Sequence, residues 1–63
     1  MKKYTSLMNN ADITANIADG KTEVFKIESE AKEYAIRERR YSYPAIELDE
    51  ETKVETRVYC VPK

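Results

Sequence analysis

Apolar positions along this chain recur with two different periods. In residues 11–18 (ADITANIA), Ala11, Ile13, Ala15 and Ile17 share one parity, the mark of a half-buried strand. Asp19-Gly20 signals a turn, and residues 21–28 (KTEVFKIE) form a second strand rich in β-branched and aromatic types. The two strands predict a hairpin whose register follows from the loop length. A two-residue loop would set Ala15 opposite Val24 and turn Phe25 and Ile27 away from Ile13 and Ile17. A three-residue loop, Ala18-Asp19-Gly20, sets Ile13 opposite Phe25 and Ala11 opposite Ile27, with Gly20 at a position that wants positive φ. A one-residue slip flips every side chain to the other face, so the pattern selects the longer loop. Ile13, Ala15, Ile17, Phe25 and Ile27 then face inward, and Thr14, Asn16, Thr22, Val24 and Lys26 face outward.

Residues 30–42 (EAKEYAIRERRYS) contain good helix formers and neither Gly nor Pro, which predicts a helix capped by Ser29. Glu30 and Glu33 suit its positive end, and Arg37, Arg39 and Arg40 suit its negative end. Pro44 stops it, because the residue before a proline is pushed out of the α region. Residues 45–52 (AIELDEET) are acidic and read as a short strand or a loop. Residues 53–61 (KVETRVYCV) are the clearest strand, with Val54, Thr56, Val58 and Cys60 on one parity and Glu55, Arg57, Tyr59 and Val61 on the other. Residues 1–10, polar apart from Leu7 and Met8 and the first methionine, read as a flexible N-terminal arm ahead of a single domain spanning 11–63.

These elements predict an α+β fold of order β-β-α-β. The connection rules for packed sheets lead to a three-stranded antiparallel sheet, order 2-1-3, with one helix packed on one face. Ile13, Ile17, Phe25, Ile27, Ala35, Val54, Val58 and Cys60 form the expected core. The other face of the sheet is left bare and displays Lys26, Val24, Arg57 and Tyr59, which makes it the natural contact surface.

Length and composition narrow the function. A chain of 63 residues, 37% of them charged, is one domain at most and buries only about 60% of its unfolded surface, too little to wall off a deep pocket. It has no histidine, one cysteine and one glycine, so a zinc site, a Cys-His nucleophile and a glycine-rich phosphate loop all lack their parts. The expectation is a binding protein that is not an enzyme and carries no cofactor or metal. No apolar run approaches the ~18 residues of a membrane span, and the first ten residues lack the apolar stretch of a signal peptide, so a cytoplasmic protein is expected.

Three groups of residues are candidates for contact. Arg57 and Tyr59, with Lys26 and Glu55 near them, are partner-binding candidates, Arg and Tyr being the types enriched at interface hot spots. Glu47, Asp49, Glu50 and Glu51 form a secondary acidic contact, able to imitate phosphates or meet a basic partner, although charge runs are most often solvated faces. Arg37, Arg39 and Arg40 with Tyr34, Tyr41 and Tyr43 resemble a nucleic-acid patch, but Glu30, Glu33 and Glu38 interleave with them, and the formal net charge is −1. Cys60 reads as a small buried hydrophobe.

The final stretch, Thr56-Arg57-Val58-Tyr59-Cys60-Val61-Pro62-Lys63, and the helix exit Tyr41-Ser42-Tyr43-Pro44-Ala45 resemble a family of short-tailed-phage proteins, the gene-two-type inhibitors of bacterial RNA polymerase. The resemblance spans residues 13–63, with its specific part in the last eight. It implies a protein that lodges in the downstream DNA channel, on the jaw of the largest polymerase subunit. There it blocks open promoter complex formation, partly through the sigma factor. Two arginines of the family's last strand make the main contact; Arg57 matches the first, and Tyr59 stands in place of the second. The family's helix is strongly acidic where this one is mixed, and the acidic residues of 45–53 are candidates for that role. The resemblance implies a monomer acting in the cytoplasm of an infected bacterial cell, with little direct nucleic-acid binding. The alternatives are a phage inhibitor of another host enzyme such as a defence nuclease, a weak nucleic-acid-binding module, and an assembly protein that self-associates through its bare sheet face.

Overall fold

The computed structural model describes all residues from Met1 to Lys63. Its elements are β1 (Lys2–Ser6), α1 (Thr14–Ala18), β2 (Thr22–Phe25), α2 (Glu28–Arg37), β3 (Tyr43–Asp49) and β4 (Val54–Pro62). Four strands form one antiparallel sheet in the order β1-β3-β4-β2. The α+β class and the antiparallel sheet agree with the sequence reading. The finer prediction of three strands in order 2-1-3 with one helix does not: there are four strands and two helices.

The central ladder is the β3–β4 hairpin, running from Tyr43 opposite Cys60 to Asp49 opposite Val54. Asp49 organises its turn: its Oδ1 accepts from the Glu51 N–H at 3.0 Å, and its carbonyl accepts from the Lys53 N–H at 2.7 Å. The N–H groups of Glu51 and, at 3.4 Å, Thr52, both donating to Oδ1, hold the Asp49 carboxyl below the usual carboxylate range. Residues 45–52, expected as a short strand or a loop, therefore divide into the last five residues of a seven-residue strand and a turn. Pro44 lies inside β3 and does not end the helix. Its carbonyl accepts from the Leu7 N–H at 3.0 Å, and a position near the strand's start needs no donor from it.

Residues 1–10 are not a loose arm. Lys2–Ser6 add β1 to the free side of β3, with Tyr4 opposite Glu47 and Ser6 opposite Ala45. The outer edge of β1 is closed in turn by the chain that follows. The Tyr4 N–H donates to Thr14 Oγ1 at 2.9 Å and its carbonyl accepts from Ile13 N–H at 3.0 Å; Ser6 N–H donates to the Ala11 carbonyl at 2.9 Å. A closed edge is protected against pairing with another chain.

Residues 11–18, expected as a strand, contain the short helix α1 instead. Ile13 and Ile17 are four residues apart, a spacing that suits one face of a helix as well as one parity of a strand. The Asp12 carboxylate accepts from the Thr14 N–H at 2.9 Å and sets the first turn. Gly20 does adopt positive φ, at 74°, but for another reason than a hairpin bulge. It ends α1 in a Schellman turn: Gly20 N–H donates to the Ile17 carbonyl at 3.1 Å and Lys21 N–H to the Asn16 carbonyl at 2.9 Å. With no hairpin partner beside it, β2 pairs with β4 at the far edge, Phe25 opposite Tyr59.

α2 runs from Glu28 to Arg37, shorter at its C-terminal end than the predicted 30–42, and its N-cap is Ile27, with no side-chain cap; Ser29 lies inside the first turn. It also ends in a Schellman turn, here without glycine. Arg39 takes φ 57° while its N–H donates to the Ile36 carbonyl at 3.2 Å, and Arg40 N–H donates to the Ala35 carbonyl at 2.7 Å.

Both faces of the sheet are partly covered. On one, Ile13, Tyr43, Ala45, Val58 and Cys60 are buried together, with Tyr4, Ile17 and Val24 against them under α1. On the other, Ala31 and Ala35 of α2 bury Val61, with Phe25, Tyr34 and Tyr59 alongside. Of the expected core, Ile13, Ala35, Val58 and Cys60 are buried, and Ile17 and Phe25 are half-buried. Ile27 and Val54 are more than half exposed, because one ends at the helix start and the other at the hairpin turn.

Candidate functional site

The expectation of one bare face is corrected. α2 lies on the face that carries Glu55, Arg57, Tyr59 and Val61, and it covers only the end near Phe25, Tyr59 and Val61. Paired residues of an antiparallel ladder point to the same side. The uncovered half of that face therefore holds Arg57 opposite Ile46, Glu55 opposite Leu48, Lys3 opposite Leu48 on the other flank, and Thr5 opposite Ile46. Ile46 and Leu48 are half-buried, while Arg57, Glu55, Lys3 and Thr5 are exposed.

The sequence-selected residues separate accordingly. Arg57 and Glu55 stand together on the open half. Arg57 takes part in none of the molecule's ion pairs and in none of its side-chain hydrogen bonds. Tyr59 is half-buried against α2 and serves the packing there, so it is not a freely displayed partner contact. Lys26 lies beyond the end of β2, in the connection to α2, and does not share the Arg57 surface.

The acidic group is broken up by β1. Glu47 is buried on the opposite face, where Tyr4 Oη donates to its Oε2 at 2.7 Å and Lys2 Nζ lies 3.4 Å from its Oε1. Burial, then the bond to Glu47, pushes the Tyr4 hydroxyl up to about 12. Lys3 Nζ lies 3.6 Å from Glu50, and Asp49 serves the turn. Only Glu51 remains a largely solvated carboxylate, 4.0 Å from the Met1 ammonium. The four acids do not form one contact surface. The signal for this was present in the sequence as Lys2-Lys3 and the alternation of Ala45 and Glu47 with Ile46 and Leu48, but a buried glutamate disguises a strand.

The open half-face missed by sequence reasoning includes Ile46 and Leu48, the apolar pair beside Arg57. Their period-two spacing was visible; the side to which they face depended on β3 pairing with β4. The fold has no enclosed pocket and no group of three or more His, Cys, Asp or Glu side chains placed to hold a metal ion. No helix is long and apolar enough to cross a membrane. Comparison with known proteins finds no family model, no curated protein and no solved structure that matches this chain.

Proposed function

We propose that this protein is a protein-binding inhibitor that docks through the open half-face around Arg57, with bacterial RNA polymerase as its target. The single observation carrying the reading is an exposed arginine with no intramolecular partner, set beside half-exposed Ile46 and Leu48 on rigid, paired strands. Arginine is enriched at interfaces, its planar fork suits bidentate contacts, and a paired strand has no backbone freedom left to lose on binding. The likeness of residues 56–63 to the phage inhibitors supplies the target. In this reading the protein acts as a monomer in the cytoplasm of an infected cell, seated on the jaw of the largest subunit in the downstream DNA channel, where it blocks open complex formation.

The acidic role assigned to 45–53 is narrowed to Glu51, since Glu47, Asp49 and Glu50 are engaged within the fold. Promoter-dependent transcription with bacterial holoenzymes tests the proposal: saturating protein abolishes open complex formation, and Arg57→Ala weakens inhibition by about tenfold or more, the loss of an interface anchor. Absence of inhibition with polymerases from several bacteria overturns the target. Inhibition unchanged by Arg57→Ala overturns the surface. Co-purification of a different host enzyme, such as a nuclease, would move the same docking surface to another partner.

A further inference from the structure

The helix exit carries a second group of residues that neither the core nor the Arg57 surface uses. Arg39 and Arg40 are exposed and enter none of the ion pairs. Tyr41 is 59% exposed, its ring 6.0 Å from that of Tyr43. The Leu7 N–H bond to the Pro44 carbonyl brings the turn after β1 to the same end of the sheet, and there Met8 is 59% and Leu7 39% exposed. Two arginines, a tyrosine, a methionine and a leucine thus gather at one end, a composition enriched at protein interfaces.

Two further observations bear on what this end is for. Arg39 occupies the left-handed position of the Schellman turn, where glycine carries no steric penalty and a guanidinium-bearing residue does. A strained position occupied by a large charged residue points from the backbone to a use for the side chain. The neighbouring acid does not neutralise the pair. Glu38, next to Arg39 in the chain, lies 3.9 Å from Arg37 Nε instead.

We propose that this helix-exit end, Arg39-Arg40-Tyr41 with Leu7 and Met8, is a second docking surface for an acidic segment of a partner protein, its carboxylates held by the two arginines and its apolar side chains laid on Tyr41, Leu7 and Met8. Carboxylates are favoured over nucleic-acid phosphates for a physical reason. Two free arginines release few counterions, so a nucleic-acid polyphosphate gains little from them at physiological salt. Paired carboxylates match the planar fork of each guanidinium. The surface uses none of Arg57, Glu55, Ile46 or Leu48 and stands whether or not RNA polymerase is the target.

The test is a titration of the isotope-labelled full chain, followed by amide chemical shifts. The probe is a short synthetic peptide in which Asp and Glu alternate with Leu and Phe. Shifts confined to residues 6–9 and 37–43 are expected. The double variant Arg39→Gly/Arg40→Gln should weaken binding at least about tenfold, the loss of one or more charge-assisted contacts. Arg39→Gly relieves the left-handed backbone, so the variant keeps its fold, which the unchanged remainder of the spectrum verifies. No shifts at millimolar peptide in low salt, shifts at other residues, or unchanged affinity in the double variant would overturn the proposal. Tighter binding of an oligothymidylate or of anionic lipid vesicles than of the peptide would overturn it as well.

Discussion

Tyr4 and Glu47 hold the N-terminal strand to the sheet, and their coupling measures whether that strand is part of the fold. The Tyr4 hydroxyl donates to the Glu47 carboxylate at 2.7 Å in a setting where the glutamate side chain is 9% exposed. A hydrogen bond to a charged group is worth roughly 1.5–3 kcal/mol, more than a neutral bond, because breaking it leaves a desolvated charge. The Lys2 ammonium at 3.4 Å adds only tenths, since its side chain is half exposed and screened. Tyr4→Phe should therefore cost about 1–2 kcal/mol, and Glu47→Gln about 1 kcal/mol, the amide oxygen still accepting. The double variant should cost less than their sum, with a coupling of about 1 kcal/mol. Urea unfolding followed by circular dichroism measures all four proteins, and an unchanged slope keeps the comparison two-state. Costs that add within the ~0.5 kcal/mol expected of independent sites would refute the reasoning, and Lys2–Ser6 would then be no more than a tethered arm.

Four further outcomes are expected. Arg39→Gly should raise stability by about 0.5–1 kcal/mol in the same urea assay, since glycine carries no penalty at φ 57°. Val58→Ala, fully buried in the cluster with Ile13, Tyr43, Ala45 and Cys60, should cost about 2 kcal/mol, whereas Ile36→Ala, 78% exposed, should stay within about 0.5 kcal/mol. Stability should fall in alkali: the folded chain keeps the Tyr4 proton up to about 12, the unfolded chain releases it near 10.0, so the contribution is whole below that lower value and is lost as pH rises through the higher one. Tyr4→Phe should flatten that decline in a pH-dependent melting series. Cys60, whose thiol burial pushes up to about 11, should resist a thiol reagent at neutral pH and react only at the rate of unfolding.

The contrast between α1 and β4 shows where local pattern suffices. β4 alternates over nine residues, too long for a helix to satisfy with the same spacing, and it forms where predicted. Residues 11–18 offer only Ile13 and Ile17, a pair compatible with both periods, and their conformation follows from the Asp12 turn and from the bonds they make to β1. Gly20 marks a left-handed residue in either reading, yet it serves a helix end and not a hairpin. In β3 the binary pattern misleads, because Glu47 is inward and satisfied by Tyr4, a residue 43 positions away.

What this chain determines by itself is local: an α+β class with an antiparallel sheet, a last strand read at 53–61 and found at Val54–Pro62, a helix read at 30–42 and found at Glu28–Arg37, and a left-handed Gly20. Tertiary structure alone decided which strands meet, since backbone donors and acceptors pair with any strand whose faces match and the free side of β3 needed a partner that β1 supplies. It also decided what Arg57 stands beside. α2 is ten residues long and shields only one end of the face it packs on, so the guanidinium is left in water next to Ile46 and Leu48. That placement depends on the packing of elements distant in sequence, which no spacing along the chain records.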